Sequence, residues 1–155
     1  MANTAGICNS FKREILNGEH QFGSPTLVSR TSLTAPTVDS FKAALYLSSA
    51  TTGPSNTAYT ATGEASGTGY SAGGIAVTNA TVPTLSSSTA VWTPSASLVY
   101  TTVSIGPVDC VMIYNSTQSN KAVETCTFTA QTPVAATLTL TMPSNAAGTA
   151  LINIA

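Results

Sequence analysis

The sequence predicts an all-β fold: a β-sandwich of the jelly-roll type with about eight strands and one short N-terminal helix. Three observations predict it. First, only 7% of the 155 residues are charged, and polarity comes instead from Ser, Thr and Asn, a composition that suits pleated sheets and not a disordered chain. Second, short apolar or alternating runs recur along the chain with turn signals between them. Third, Pro83, Pro94, Pro107, Pro133 and Pro143 fall between those runs, where a ladder loses no donor. The length fits one domain, 1–155, able to bury a core without disulfides or metal.

In chain order, NSFKREILN predicts a helix over 10–17. Asn9 or Ser10 caps it, Phe11 and Ile15 share a face at i and i+4, and Gly18 stops it. Residues 20–40 read as irregular, broken by Gly23, Pro25 and Pro36. FKAALYL, 41–47, alternates like a half-buried strand. Residues 48–74 read as a long Ser/Thr/Gly/Ala loop, of a length that in a compact domain is functional or partly disordered. Strands follow at 75–82, 89–93, 98–105, 108–114, 121–128, 136–142 and 149–155. The clearest hairpin is 108–128, turning through the polar Asn115–Asn120. With Tyr114 opposite Lys121, Cys110 faces Thr125, which puts the Cys110 and Cys126 thiols on opposite faces and argues against a disulfide.

Gly69-Tyr70-Ser71-Ala72-Gly73 spells the nucleophile elbow of serine hydrolases. That elbow needs a strand before the serine and a helix after it. TATGEASGT precedes Ser71 without a strand pattern, and IAVTNATV after it alternates like a strand. The single histidine, His20, lies before the serine and reads as a surface residue. No triad is expected, and no dinucleotide fingerprint either, because the glycine spacing is wrong. Six carboxylates (Glu14, Glu19, Asp39, Glu64, Asp109, Glu124) show no spacing that singles out a glycosidase pair. Cys8, Cys110 and Cys126 are odd in number and widely spaced, so they read as small buried thiols and not as a zinc site. No catalytic residue, metal or cofactor is expected. Asn79-Ala-Thr and Asn115-Ser-Thr match the glycosylation sequon and read as turn and strand residues.

The formal net charge is −1, with no basic patch for nucleic acid and no polybasic membrane tail. No run approaches the roughly 20 apolar residues of a membrane span. The N-terminus lacks the basic and apolar regions of a secretory signal, so the chain is expected in the cytoplasm after synthesis. So little charge protects poorly against self-association, which points to a surface that ends up covered.

The segments CNSFKREILNGEHQF, DSFKAALYLSSAT, TAYTATGEASGTGYSAGGIAVTNATV and VMIYNSTQSNKAVE, taken in order, resemble a family of small virion structural proteins of tailed bacteriophages. The resemblance runs from Cys8 to Ala155, with residues 23–40 looking like an insertion. It implies a non-enzymatic particle protein: a capsid decoration (cement) protein that binds the outside of the head and stabilises the shell. The implied partners are the phage major capsid protein and sister copies in a homo-oligomer, dimer or trimer. Its expected location is the virion surface, with the host cytoplasm during assembly. The helix 10–17 and the loop 48–74 are the expected contact elements, with Phe11, Lys12, Arg13, Ile15, Tyr59 and Tyr70 as contact residues. A neck, tail or head-fibre component is the alternative. A glycan-binding module with an exposed strip of Tyr59, Tyr70 and Trp92 is a further one.

Overall fold

The structure is a computed structural model, and it describes residues 2–16, 19, 20, 22, 37–78 and 82–154, without the side chains of residues 12, 13 and 16. Most of the irregular segment 20–40, the sequon at Asn79 and the side chains of Lys12 and Arg13 therefore lie outside the described residues. The all-β class holds, with one helix among the described residues, α1 (Asn9–Leu16). Among the described residues there are eleven strands: β1 (Gly6–Ile7), β2 (Phe41–Leu47), β3 (Gly67–Thr68), β4 (Ile75–Ala76), β5 (Thr84–Ser86), β6 (Thr89–Trp92), β7 (Leu98–Ile105), β8 (Val108–Asn115), β9 (Lys121–Gln131), β10 (Ala136–Leu140) and β11 (Ile152–Ile154).

They form three antiparallel sheets, ordered β1-β9-β8-β2-β4, β10-β7-β3 and β11-β6-β5. This is a finer division than the expected eight strands in a jelly roll. The extra members are short strands such as β1, β3 and β4, two residues each, too brief for alternation to show. β5 and β6 form a hairpin through Ser87, whose φ of 56° is left-handed. The expected strand 149–155 shortens to β11, because Thr149 and Ala150 donate back to the Ala146 carbonyl in a turn.

The long ladder β2-β8-β9 forms at the apolar runs that predict it. β2 is not half-buried as expected: Ala44 and Tyr46 are as buried as Ala43 and Leu45, because both faces of the strand are covered. Inward residues of all three sheets share one core. Trp92, 1% exposed, packs against Phe22 at 4.6 Å between ring centroids, and Phe22 stacks on Phe41 at 4.8 Å. Hairpin register differs by one residue from expectation: Asn115 pairs with Lys121 and Tyr114 with Ala122. A bulge between Ile113 and Tyr114 then places Cys110 opposite Thr127, while Cys126 faces Val111. The two thiols still point to opposite faces, and all three cysteines are free.

Asn115 sets that hairpin's turn. Its Oδ1 accepts the amides of Thr117 and Gln118, both at 3.1 Å, an Asx turn. Ser119 and Asn120 follow in left-handed geometry, at φ 53° and 57°. Asparagine tolerates this conformation better than serine. Ser119→Gly is therefore expected to raise the unfolding free energy by about 0.5 kcal/mol, the relieved strain less the extra freedom of the unfolded chain. A urea titration checks this, and a fall in stability would refute it.

Candidate functional site

The segment 48–74 is densely hydrogen-bonded to the rest of the described chain. It straps the edge of β2 that β8 leaves open. Along that edge Val77 N–H donates to Phe41 O, Tyr100 Oη–H to Ala43 O, and Ala65 N–H to Leu45 O, at 2.9, 2.9 and 2.8 Å. Leu45 N–H donates to Tyr70 Oη at 3.0 Å, and Leu47 N–H to Gly63 O at 2.9 Å. An edge saturated in this way offers no template to another chain.

Glu64 is the hub of the strap. It accepts Tyr59 Oη–H at 2.6 Å, Tyr70 Oη–H at 2.8 Å and the Gly73 amide at 2.7 Å. Tyr114 Oη–H donates to Gly73 O at 2.7 Å and Tyr46 Oη–H to Thr60 O at 2.6 Å. All five tyrosines of the chain thus spend their hydroxyls on this strap and the β2 edge. Burial, reinforced by the nearby Glu64 charge, pushes the Tyr59 phenol up to about 12 and raises those of Tyr70 and Tyr100 as well. They stay protonated donors at any physiological pH.

The glycines of the elbow-like motif are explained by the same strap. Gly74 has a φ of +73°, and a Cβ there would stand 1.7 Å from Ala43 O. At Gly69 (φ +77°) a Cβ would stand 2.4 Å from Thr102 O. Backbone meets backbone at both points, and only glycine fits. Ser71 itself is exposed, and its carbonyl accepts the Gly74 amide at 2.9 Å in a turn.

His20 is not the surface residue expected. Its side chain is fully shielded, between the helix and the β8–β9 hairpin. Because Asn115 Oδ1 accepts two backbone amides, its Nδ2 must donate, to Asp39 Oδ2 at 2.7 Å and to His20 Nδ1 at 3.1 Å. His20 Nε2–H then donates to Glu14 Oε2 at 2.8 Å. Glu14 Oε1 also takes Lys121 Nζ at 3.1 Å, and Lys121 reaches Glu19 at 2.6 Å. Both ring nitrogens are occupied by the protein, so the imidazole has no lone pair to offer a substrate. This Glu-His-Asn-Asp chain ties α1 to the hairpin and to Asp39, two residues before β2. Nothing in the sequence marks the contact, since His20 and Asn115 are 95 positions apart.

A second buried group lies on β9. Glu124, 8% exposed, pairs with Ile113 on one side and Ile7 on the other, and its Oε2 has no hydrogen-bond partner. Burial pushes its carboxyl up to about 8, opposed by a hydrogen bond from Cys126. Burial likewise pushes Cys8 and Cys110 up to about 12 and raises Cys126, so these thiols are inert at neutral pH.

The expected contact residues divide. Phe11 is 0% exposed and belongs to the core, against His20 and Phe22. Ile15 is half-buried and lines a cleft of about 230 Å³ with Trp92 and Ile152. Tyr59 stacks on Tyr114 and Tyr70 on Tyr100, both with hydroxyls turned inward, and Trp92 is core. The three residues do not form an exposed aromatic strip: Trp92 is buried, and Tyr59 and Tyr70 are half-buried with their hydroxyls bonded to Glu64. What the surface does present is aliphatic, with Leu85 and Val134 each 76% exposed and Val82, Val99 and Ile154 partly so.

Among the described residues no group of three or more His, Cys, Asp or Glu is placed to hold a metal ion, and no helix is long and apolar enough to cross a membrane. Compared with family models, curated proteins and solved structures, the chain matches none.

Proposed function

We propose that the chain is a non-enzymatic virion subunit, a decoration protein that fastens to the outside of a tailed-phage head and to sister copies of itself. The observation that supports this reading best is where its reactive groups go. The serine of the elbow-like motif sits on a turn, both nitrogens of the histidine are bonded internally, and Glu64 holds three donors of the strap. The chain spends its chemistry on rigidity. Its surface is nearly uncharged and carries exposed aliphatic side chains, a composition suited to polar and apolar contacts that salt screens little. Repeated over a symmetric shell, such weak contacts add by avidity. The order of its sequence segments, which resembles small virion structural proteins, gives the partner: the major capsid protein. Such a subunit resides on the virion surface after assembly in the host cytoplasm.

Mixing the purified chain with undecorated heads tests this. Saturable binding and a higher temperature of head rupture are expected. Absence of saturable binding overturns the reading.

A further inference from the structure

We propose that two copies of this chain pair edge to edge through β10, joining their β10-β7-β3 sheets into one continuous antiparallel sheet. The proposal rests on the reading of the chain as a self-associating subunit, but not on the capsid as its partner.

β10 is the longest edge strand among the described residues. The other edge strands, β1, β3, β4, β5 and β11, have two or three residues, and β10 has five. Its far side presents a row of backbone groups with no neighbouring strand among the described residues. Natural proteins blunt such an edge with a charge, a proline, a bulge or a covering segment. The β2 edge has its strap. β10 has none of these devices among the described residues: from Thr125 to Ala155 the chain carries no Lys, Arg, Asp or Glu, and Pro133 and Pro143 flank the strand without interrupting it. The sheet's bulge falls in the neighbouring strand, where Thr101 and Thr102 stand opposite Thr137 alone. The free edge of β10 therefore stays regular.

The occupant follows from self-complementarity. An antiparallel pair centred on Leu138 sets Leu138 opposite itself, Ala136 opposite Leu140 and Thr137 opposite Thr139. Leu138, 8% exposed, lies on the core side beside Tyr100, so the apolar sides of both copies run on into each other. Thr137 and Thr139 lie on the exposed side and form cross-strand threonine pairs, a favourable combination. A strand without charge cannot select a charged partner. It fits another uncharged strand with the same alternation, and a second copy supplies one. Five paired residues bury far less than the roughly 1,200 Å² of a standard interface, so the dimer is weak in dilute solution and fills when copies are held close together.

Sedimentation velocity over a micromolar-to-millimolar series tests this, with the full chain and two double variants. The wild-type chain is expected to dimerise with rising concentration. T137K/T139K, which sets like charges across the pair, is expected to weaken the dimer at least about tenfold. T137K/T139E sets opposite charges across the same positions and is expected to restore it to within about threefold of wild type. Both pairs of sites are exposed, and an unchanged melting temperature confirms that each variant is folded. A wild-type chain that stays monomeric throughout, or a T137K/T139K variant that dimerises like wild type, overturns the proposal. So does a chain that saturates heads while T137K/T139K dimerises unimpaired. A chain that dimerises through β10 yet ignores heads sustains this proposal and sinks the capsid reading alone.

Discussion

Glu64→Ala is expected to lower the unfolding free energy by about 3–5 kcal/mol. The variant strands three donors at once: two phenols and the Gly73 amide. Hydrogen bonds to a charged acceptor contribute about 1.5–3 kcal/mol each, and they do not add fully because water reaches a half-buried carboxylate. The effect spreads because Tyr70 Oη also accepts the Leu45 amide. Once Tyr70 loses its acceptor, the β2 edge loses a fixed partner. Chemical denaturation gives the magnitude. Chymotrypsin gives the location, because Tyr59 and Tyr70 fall in a stretch with no Lys or Arg between Lys42 and Lys121. Faster cleavage there, at denaturant concentrations where the core persists, is the expected signature. Glu64→Gln keeps one acceptor oxygen but turns an amide NH₂ toward a donor, so it should recover only part of the loss. Wild-type stability in Glu64→Ala would show that the strap is held by its backbone bonds alone.

That strap marks the limit of what the sequence discloses. Where apolar and β-branched residues run for seven or more positions between turn signals, as in β2, β7, β8 and β9, the strands lie close to where the pattern puts them. Only β7 approaches alternating burial. β2 and β8 are buried on both faces, covered there by the other sheets and the polar segment, which a single strand's pattern does not show. The Asn115–Asn120 turn is legible because its residue types have local work to do. Residues 48–74 carry no periodicity, because each polar group there answers to a partner on another element. Glycine richness reads as freedom in a sequence, yet Gly69 and Gly74 are points of closest backbone approach. Phe11 and Ile15 show a further ambiguity. An apolar pair at i and i+4 identifies the inward face of a helix equally well whether a core or a partner covers it. Here Phe11 is covered by the chain's own His20 and Phe22. The tyrosines are ambiguous in the same way, since an amphipathic ring in a polar loop suits a binding strip and an internal tie alike.

Glu124 leads to the second large effect, one that runs against the usual acid lability of proteins. An ordinary carboxyl of this type titrates near 4.5, and burial pushes this one up to about 8 in the folded chain. Below the lower value both states hold the proton, and Glu124 contributes no pH dependence. Between the two values the unfolded chain has lost the proton while the folded chain keeps it, so stability falls as pH rises, by up to about 1.4 kcal/mol per pH unit. Above the upper value the folded chain must carry a buried carboxylate with one oxygen unpartnered, and the full penalty, on the order of 4 kcal/mol, is present. The unfolding free energy is therefore expected to decline from pH 5 to pH 9. Glu124→Gln should match wild type near pH 5 within about 1 kcal/mol and exceed it increasingly toward pH 9, because the amide never ionises. The difference between the two profiles isolates Glu124 from every other titrating group. The penalty should be felt first where β1 pairs with β9, since Ile7 faces Glu124 directly. Hydrogen exchange at the Cys8 amide, which donates to Val123 O at 3.0 Å, should accelerate beyond its intrinsic pH dependence in wild type and not in Glu124→Gln. Parallel pH profiles for the two proteins would mean that water or a shift of β1 solvates the carboxylate, and that the upward push on its titration is absent.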